Sequence, residues 1–215
     1  MEPHIYPIPG DRQRIGWIEV VCGSMFSGKT EELIRRLKRA TIARQKVAIF
    51  KPAVDTRFSA NAVVSHDASE MPSIAVHHAD EITPQASGAT VVGIDEAQFF
   101  GLELVEVCED LARRGCRVLV AGLDQDYLGR PFEPMPQLMA VAEHVTKLHA
   151  VCVVCGAPAN HSQRIIPGND RVLLGEKEAY EPRCRHHFRP EPTISTESLV
   201  TPATQKAASD TIDLF

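Results

Sequence analysis

The chain has no apolar run of about 18 residues or more, so nothing in it reads as a membrane-spanning helix. Met1 to Gly10 is polar and proline-bearing and lacks the apolar core of a secretory signal, so a cytoplasmic location is expected. An excess of positive charge is missing too. Lys and Arg number 23 against 28 Asp and Glu, a net charge of −5. That balance argues against a protein whose main task is gripping nucleic acid or an anionic membrane. No internal repeat is found. Cysteine is sparse, with six in all, and in a cytosolic setting these read as thiols or metal ligands before disulfides. Cys22, Cys108 and Cys116 sit in apolar segments and read as buried packing residues.

What is present begins with Gly23-Ser24-Met25-Phe26-Ser27-Gly28-Lys29-Thr30, a match to G-x-x-x-x-G-K-[ST], the phosphate-cradling loop. Its context fits. Trp17 to Val21 reads as a buried strand and Glu31 to Arg44 as a helix. Gly23 and Gly28 let the backbone curl so that N–H groups turn inward on an anion, and the helix N-terminus adds partial positive charge. Lys29 would reach the β- and γ-phosphates, and the Thr30 hydroxyl would ligate Mg²⁺. Nucleoside triphosphate binding follows. The basic run Arg35-Arg36-Leu37-Lys38-Arg39 reads as the solvated face of that helix.

Strand and helix patterns alternate from residue 17 to about 148. Strands are expected at Lys46–Phe50, Thr90–Asp95, Arg117–Gly122 and Val145–Leu148, with an amphipathic helix over Glu103–Arg114 that Gly115 stops. Short apolar strands separated by helices indicate an α/β fold, a parallel sheet covered on both faces. Pro52 to Ser87 has no strong period and reads as part strand, part long functional loop. From Val151 the texture turns to Cys, Gly, Pro and Arg. The expected organisation is a flexible 1–14, a nucleotide-binding domain over 15–150, a zinc-binding module over 151–189 and a disordered Pro/Ser/Thr-rich tail over 190–215.

The third strand ends in Asp95-Glu96-Ala97-Gln98. An acid at the C-terminal edge of an apolar strand is Walker-B geometry, which places Asp95 across from Thr30 to hold Mg²⁺. If the strand pattern continues, Glu96 points the other way, toward an acceptor whose hydroxyl proton it could take. The same four letters resemble a helicase box, but a helicase core needs two such domains and far more chain.

Cys152-x-x-Cys155 and Cys184-x-x-His187 form two knuckles able to close a tetrahedral Zn²⁺ site. His186 is an alternative fourth ligand; His187 matches the spacing of the first knuckle. Four protein ligands leave no open position, so the metal reads as structural, and it would tie both ends of segment 156–183 to one point.

With these elements in place the sequence resembles the thymidine kinase family found in many bacteria and in the animal cytosol. The resemblance covers about residues 15 to 189. It rests on the Gly23–Thr30 loop, Asp55-Thr56-Arg57-Phe58, Ser65-His66-Asp67, Asp95–Phe100, Gly122-Leu123-Asp124, Pro131-Phe132, Lys147–Cys152, the Cys/Cys/Cys/His set and Tyr180. It implies a recombinase-like P-loop domain with a zinc-pinned lasso, and transfer of the γ-phosphoryl group of ATP, with Mg²⁺, to the 5′-hydroxyl of thymidine or deoxyuridine. It implies that Gly23 to Thr30 with Asp95, Glu96, Ala97 and Gln98 hold the donor and that Glu96 is the general base. Arg57 then lies near the transferred phosphate. Met25, Phe99, Leu123, Tyr127, Phe132 and Tyr180 wall the nucleoside, and lasso residues Ser162 to Tyr180 read the base through their backbone. A structural Zn²⁺ on Cys152, Cys155, Cys184 and His187 and a homotetramer are also implied, with neither nucleic acid nor membrane as partner. Tyr127, Ala68 and Arg171 depart from the family pattern, where Phe, Gly and an apolar residue are usual.

A competing reading is a P-loop ATPase whose zinc module binds nucleic acid or protein through Arg164, Arg171, Arg183, Arg185 and Arg189. It predicts a basic, exposed face on that module.

Overall fold

The computed structural model describes residues 16–54, 62–64, 70–166 and 179–190. The expectations for 1–14, for the Asp55–Phe58 and Ser65–Asp67 motifs, for Arg171 and most of the lasso, and for the tail beyond residue 190 lie outside these residues. In chain order the elements are β1 (Trp17–Gly23), α1 (Lys29–Ile42), β2 (Val47–Pro52), β3 (Ala62–Val64), β4 (Glu70–Pro72), β5 (Ile74–Val76), α2 (Ile82–Gln85), β6 (Val91–Ile94), α3 (Glu103–Arg113), β7 (Arg117–Gly122), α4 (Met135–Val141) and β8 (His144–Leu148). Four short strands follow: β9 (Ala150–Val151), β10 (Pro158–Ala159), β11 (His161–Arg164) and β12 (Tyr180–Arg183).

Six strands make one sheet in the order β5-β2-β6-β7-β1-β8, and each neighbouring pair is parallel. The strands are near-continuous apolar runs because both faces are covered. On one face Ile18, Val20, Cys22, Val118 and Val120 pack with Leu104, Cys108 and Leu111 of α3 and Met135 and Leu138 of α4. On the other, Val21, Leu119 and Ala121 pack with Leu33, Ile34, Leu37 and Ala40 of α1. Successive residues of β1 and β7 thus serve opposite cores, as strand alternation requires. The expected fold class holds. Pro52–Ser87 yields the antiparallel pair β3–β4 and the edge strand β5, paired to β2 from Phe50↔Ile74 to Pro52↔Val76.

The helix ends follow local chemistry. Gly28 at φ 83° caps α1, so the helix starts at Lys29, two residues before the sequence expectation. Gly115 follows the end of α3 and closes back on the Ala112 carbonyl at 2.9 Å.

One expectation is corrected. Arg35, Lys38 and Arg39 are exposed, but Arg36 is buried. It donates to Glu19 at 2.8 Å, to Glu32 at 2.7 Å and to Thr146 at 2.9 Å. Glu19, buried in mid-strand, also accepts from Arg117 at 2.7 Å and from the Trp17 indole at 2.8 Å. Burial alone would raise the Glu19 carboxyl. The bonds from Arg117 and Trp17 and the charges of Arg117 and Arg36 hold it below the usual glutamate range. The network ties α1 to β1, β7 and β8, the strands that carry the phosphate-binding loop.

Candidate active site and metal centre

The Gly23–Thr30 loop leaves β1 at the C-terminal edge of the sheet, between the ends of β7 and β8, where ligands of open parallel sheets bind. Phe26 and Gly28 take positive φ, 63° and 83°, and curl the loop. Lys29 spans it, its ammonium donating to the Ser24 carbonyl at 2.8 Å. The Ser27 hydroxyl is buried without a hydrogen-bonding partner among the described residues, an orphaned donor in a loop suited to an anion. Two bonds link the loop to the C-terminal segment: Ser24 Oγ donates to the Ala159 carbonyl at 3.2 Å, and Ser162 Oγ accepts from the Met25 N–H at 3.0 Å. Phe26 packs on the small core of Ala150, Cys152, Ala159 and Cys184.

Across the loop, β6 delivers Asp95, which accepts a bond from the Thr30 hydroxyl at 3.2 Å. This is the pairing of hydroxyl and carboxylate that a Walker site offers to Mg²⁺. Burial, reinforced by the charge of Glu96, pushes the Asp95 carboxyl up to about 7, against the Glu96 N–H, Lys29 and Thr30. A divalent cation would relieve that crowding of negative charge, so the residues fit the group.

Glu96 departs from the extended continuation expected of it. The strand ends at Ile94 and Glu96 sits in the left-handed region at φ 52°, ψ 41°. A non-glycine residue held there costs energy and persists only where its surroundings fix it. Part of that fixing is visible. The buried Gln98 donates from Nε2 to Glu96 Oε2, and its Oε1 accepts from the Leu123 N–H at 2.9 Å.

The four zinc-knuckle residues converge. Cys152, Cys155, Cys184 and His187 place their ligand atoms within 4.8 Å of one another. Cys155 and Cys184 sulfurs are 3.7 Å apart, and His187 Nδ1 lies 3.3 Å from Cys184 and 3.8 Å from Cys152. A tetrahedral zinc with bonds of about 2.3 Å to sulfur sets its ligand atoms about 3.8 Å apart. Burial raises the Cys152 thiol, but the backbone N–H groups of Cys184, Val154 and Cys155 draw it down to about 6, favouring the thiolate that a metal requires. His186 stands edge-on to His187, ring centroids 4.8 Å apart, and is not part of the cluster. The residues fit a closed zinc site.

Met25, Phe99, Leu123 and Tyr127 are half-buried beside the loop and the β6 and β7 ends, while Phe132, Ser162 and Tyr180 are buried. A residue that sequence reasoning assigned elsewhere joins two of them. Arg164, 1% exposed, lays its guanidinium over the Tyr127 ring at 3.6 Å and donates to the Tyr180 hydroxyl at 2.8 Å. Cation–π contact with Tyr127 and the bond to Tyr180 hold both rings. The β11 pattern His161-Ser162-Gln163-Arg164 is polar in sequence and buried throughout, and nothing in its spacing signals that.

This placement weakens the basic-face alternative. Arg164 is interior and Arg183 is paired with Glu181, which leaves Arg185 and Arg189 as the exposed arginines of that set among the described residues, Arg189 also donating to the carbonyls of His186 and Phe188. Among the described residues no helix is long and apolar enough to cross a membrane.

A sequence model of the family "Thymidine kinase" matches residues 16–188. The chain is 62% identical over 203 residues to the thymidine kinase of Rhodothermus sp. (strain ITI 518), covering 94% of each chain. It is 60% identical over 177 residues to the thymidine kinase of Bdellovibrio bacteriovorus, covering 82% of this chain and 87% of that one. With the thymidine kinase of Bacteroides thetaiotaomicron the identity is 56% over 178 residues, 83% of this chain and 89% of the relative.

Proposed function

The chain belongs to the thymidine kinase family, and from that premise we propose that it transfers the γ-phosphoryl group of ATP to the 5′-hydroxyl of thymidine and of deoxyuridine, in cytoplasmic deoxynucleoside salvage. The observation that carries the reading is the meeting of Thr30 and Asp95 at 3.2 Å with Glu96 next in the chain. In this proposal Gly23 to Thr30 receive the donor phosphates, with Lys29 exchanging the Ser24 carbonyl for phosphate oxygens. Thr30 and Asp95 would hold Mg²⁺, which when bound neutralises phosphate charge.

Glu96 takes the proton of the 5′-hydroxyl. The oxygen then bonds to the γ-phosphorus as the bond to the departing ADP breaks, and that electron pair leaves with ADP. Alignment and charge neutralisation supply most of the rate enhancement in such a transfer. Met25, Phe99, Leu123, Tyr127, Phe132 and Tyr180 wall the nucleoside, and the segment from Ser162 to Tyr180 reads the base and excludes water. Arg57, outside the described residues, is proposed beside the transferred phosphate, and Ala97 and Gln98 border the donor. A structural Zn²⁺ on Cys152, Cys155, Cys184 and His187 anchors that segment, and the assembly is a homotetramer. A thymine methyl in an apolar wall changes discrimination by only about 1–3 kcal/mol, so deoxyuridine stays a substrate.

Glu96→Gln tests the base. The expected result is a fall in kcat of about 10²–10⁴ with Mg-ATP binding retained; unchanged turnover would remove Glu96 from that role.

A further inference from the structure

We propose that Gln98 is a positioning residue that sets the Glu96 carboxylate and couples it to the Leu123 segment of the nucleoside pocket. The inference rests on the reading of Glu96 as the base. Three observations carry it. First, Glu96 stands in a left-handed backbone conformation at φ 52°, so its side-chain direction is not set by a regular element and has to be fixed by contacts. Second, the Gln98 amide is buried with both ends occupied, Nε2 on Glu96 Oε2 and Oε1 on the Leu123 N–H at 2.9 Å. Third, the room for this bridge comes from a glycine. A Cβ at Gly122 would lie 2.9 Å from Gln98 Oε1 and 2.6 Å from the Met135 sulfur.

The amide has one workable orientation. A backbone N–H needs an acceptor and an ionised carboxylate needs a donor, so a flipped Gln98 would oppose both neighbours. Buried amides usually satisfy themselves on backbone. Here one end is given to the carboxylate next to the Walker acid and the other to the residue after β7. Leu123 and Glu96 are therefore held in one relation by a single buried amide. Displacement of a reacting group by about 1 Å costs about 10²-fold in rate, so a residue that only holds the base registers in kcat.

The test uses the full chain with Mg-ATP and thymidine, comparing the unaltered protein with Gln98→Leu and Gln98→Glu. Gln98→Leu keeps the bulk and removes both bonds. The expected result is a kcat lower by about 10–100-fold, a loss larger than any rise in either KM. Gln98→Glu keeps an acceptor for Leu123 but removes the donor to Glu96 and sets a second carboxylate against it, so its kcat is expected to fall at least as far as that of Gln98→Leu. An unchanged kcat in Gln98→Leu, or a KM that rises in step with the loss, overturns the inference. Should that variant fail to fold, an unchanged kcat in Gln98→Glu overturns it. Absence of thymidine-dependent turnover in the unaltered chain would instead defeat the functional reading beneath it.

Discussion

Ser162 and Met25 are 137 residues apart in sequence and share a hydrogen bond of 3.0 Å, the Met25 N–H donating to the Ser162 hydroxyl. The bond joins the phosphate-binding loop to β11, the strand that opens the segment proposed to cover the nucleoside. Ser162→Ala leaves that N–H without its acceptor, at a cost of about 1–3 kcal/mol. The expected outcome is a lower urea midpoint with a higher thymidine KM, both restored in Ser162→Thr. Parallel denaturation and steady-state kinetics check it.

The Glu19 network predicts a pH dependence of stability. The folded carboxyl lies below its unfolded value of about 4.5, so its contribution is complete above that value and is lost as pH falls through the folded one. Glu19→Gln is expected to cost about 3–5 kcal/mol at neutral pH, since it strips a buried partner from Arg36 and Arg117. It should also flatten the acid limb. Urea melts of both proteins from neutral pH to about 3 test the sign.

The two halves of the site differ in how openly the sequence declares them. The phosphate loop, Asp95 and the four residues of the Cys/His cluster rest on fixed local spacings, which a turn or a knuckle enforces whatever the rest of the chain does. Strands such as Arg117–Gly122 were plain because a sheet buried on both faces leaves apolar runs. Other features depend on distant partners. β5 is three residues long and exists because β2 offers it an edge. Arg36 sits in a basic run, and its burial follows from Glu19 on another element. Glu96 is off the strand where the backbone turns after Ile94, and the partner of the next turn, Leu123 beside Gln98, lies 25 residues further along the chain. Arg164 looked like surface charge and is a clamp between two tyrosines.

The cysteine cluster predicts bound zinc. Metal analysis of the purified chain is expected to give about one zinc per chain. Cys155→Ser should lose it on dialysis and weaken thymidine binding more than ATP binding, since the segment that the metal would pin is the one proposed to cover the nucleoside. A variant that keeps one tight zinc would refute the ligand set.

The central claim is tested most directly by nucleoside-dependent ADP release from Mg-ATP. The arms are thymidine, deoxyuridine, deoxycytidine and deoxyguanosine, with single-stranded DNA alongside. Turnover is expected with thymidine and deoxyuridine and none with the other nucleosides or with DNA. Silence with every nucleoside together with stimulation by DNA would contradict it and make the C-terminal module a nucleic-acid face.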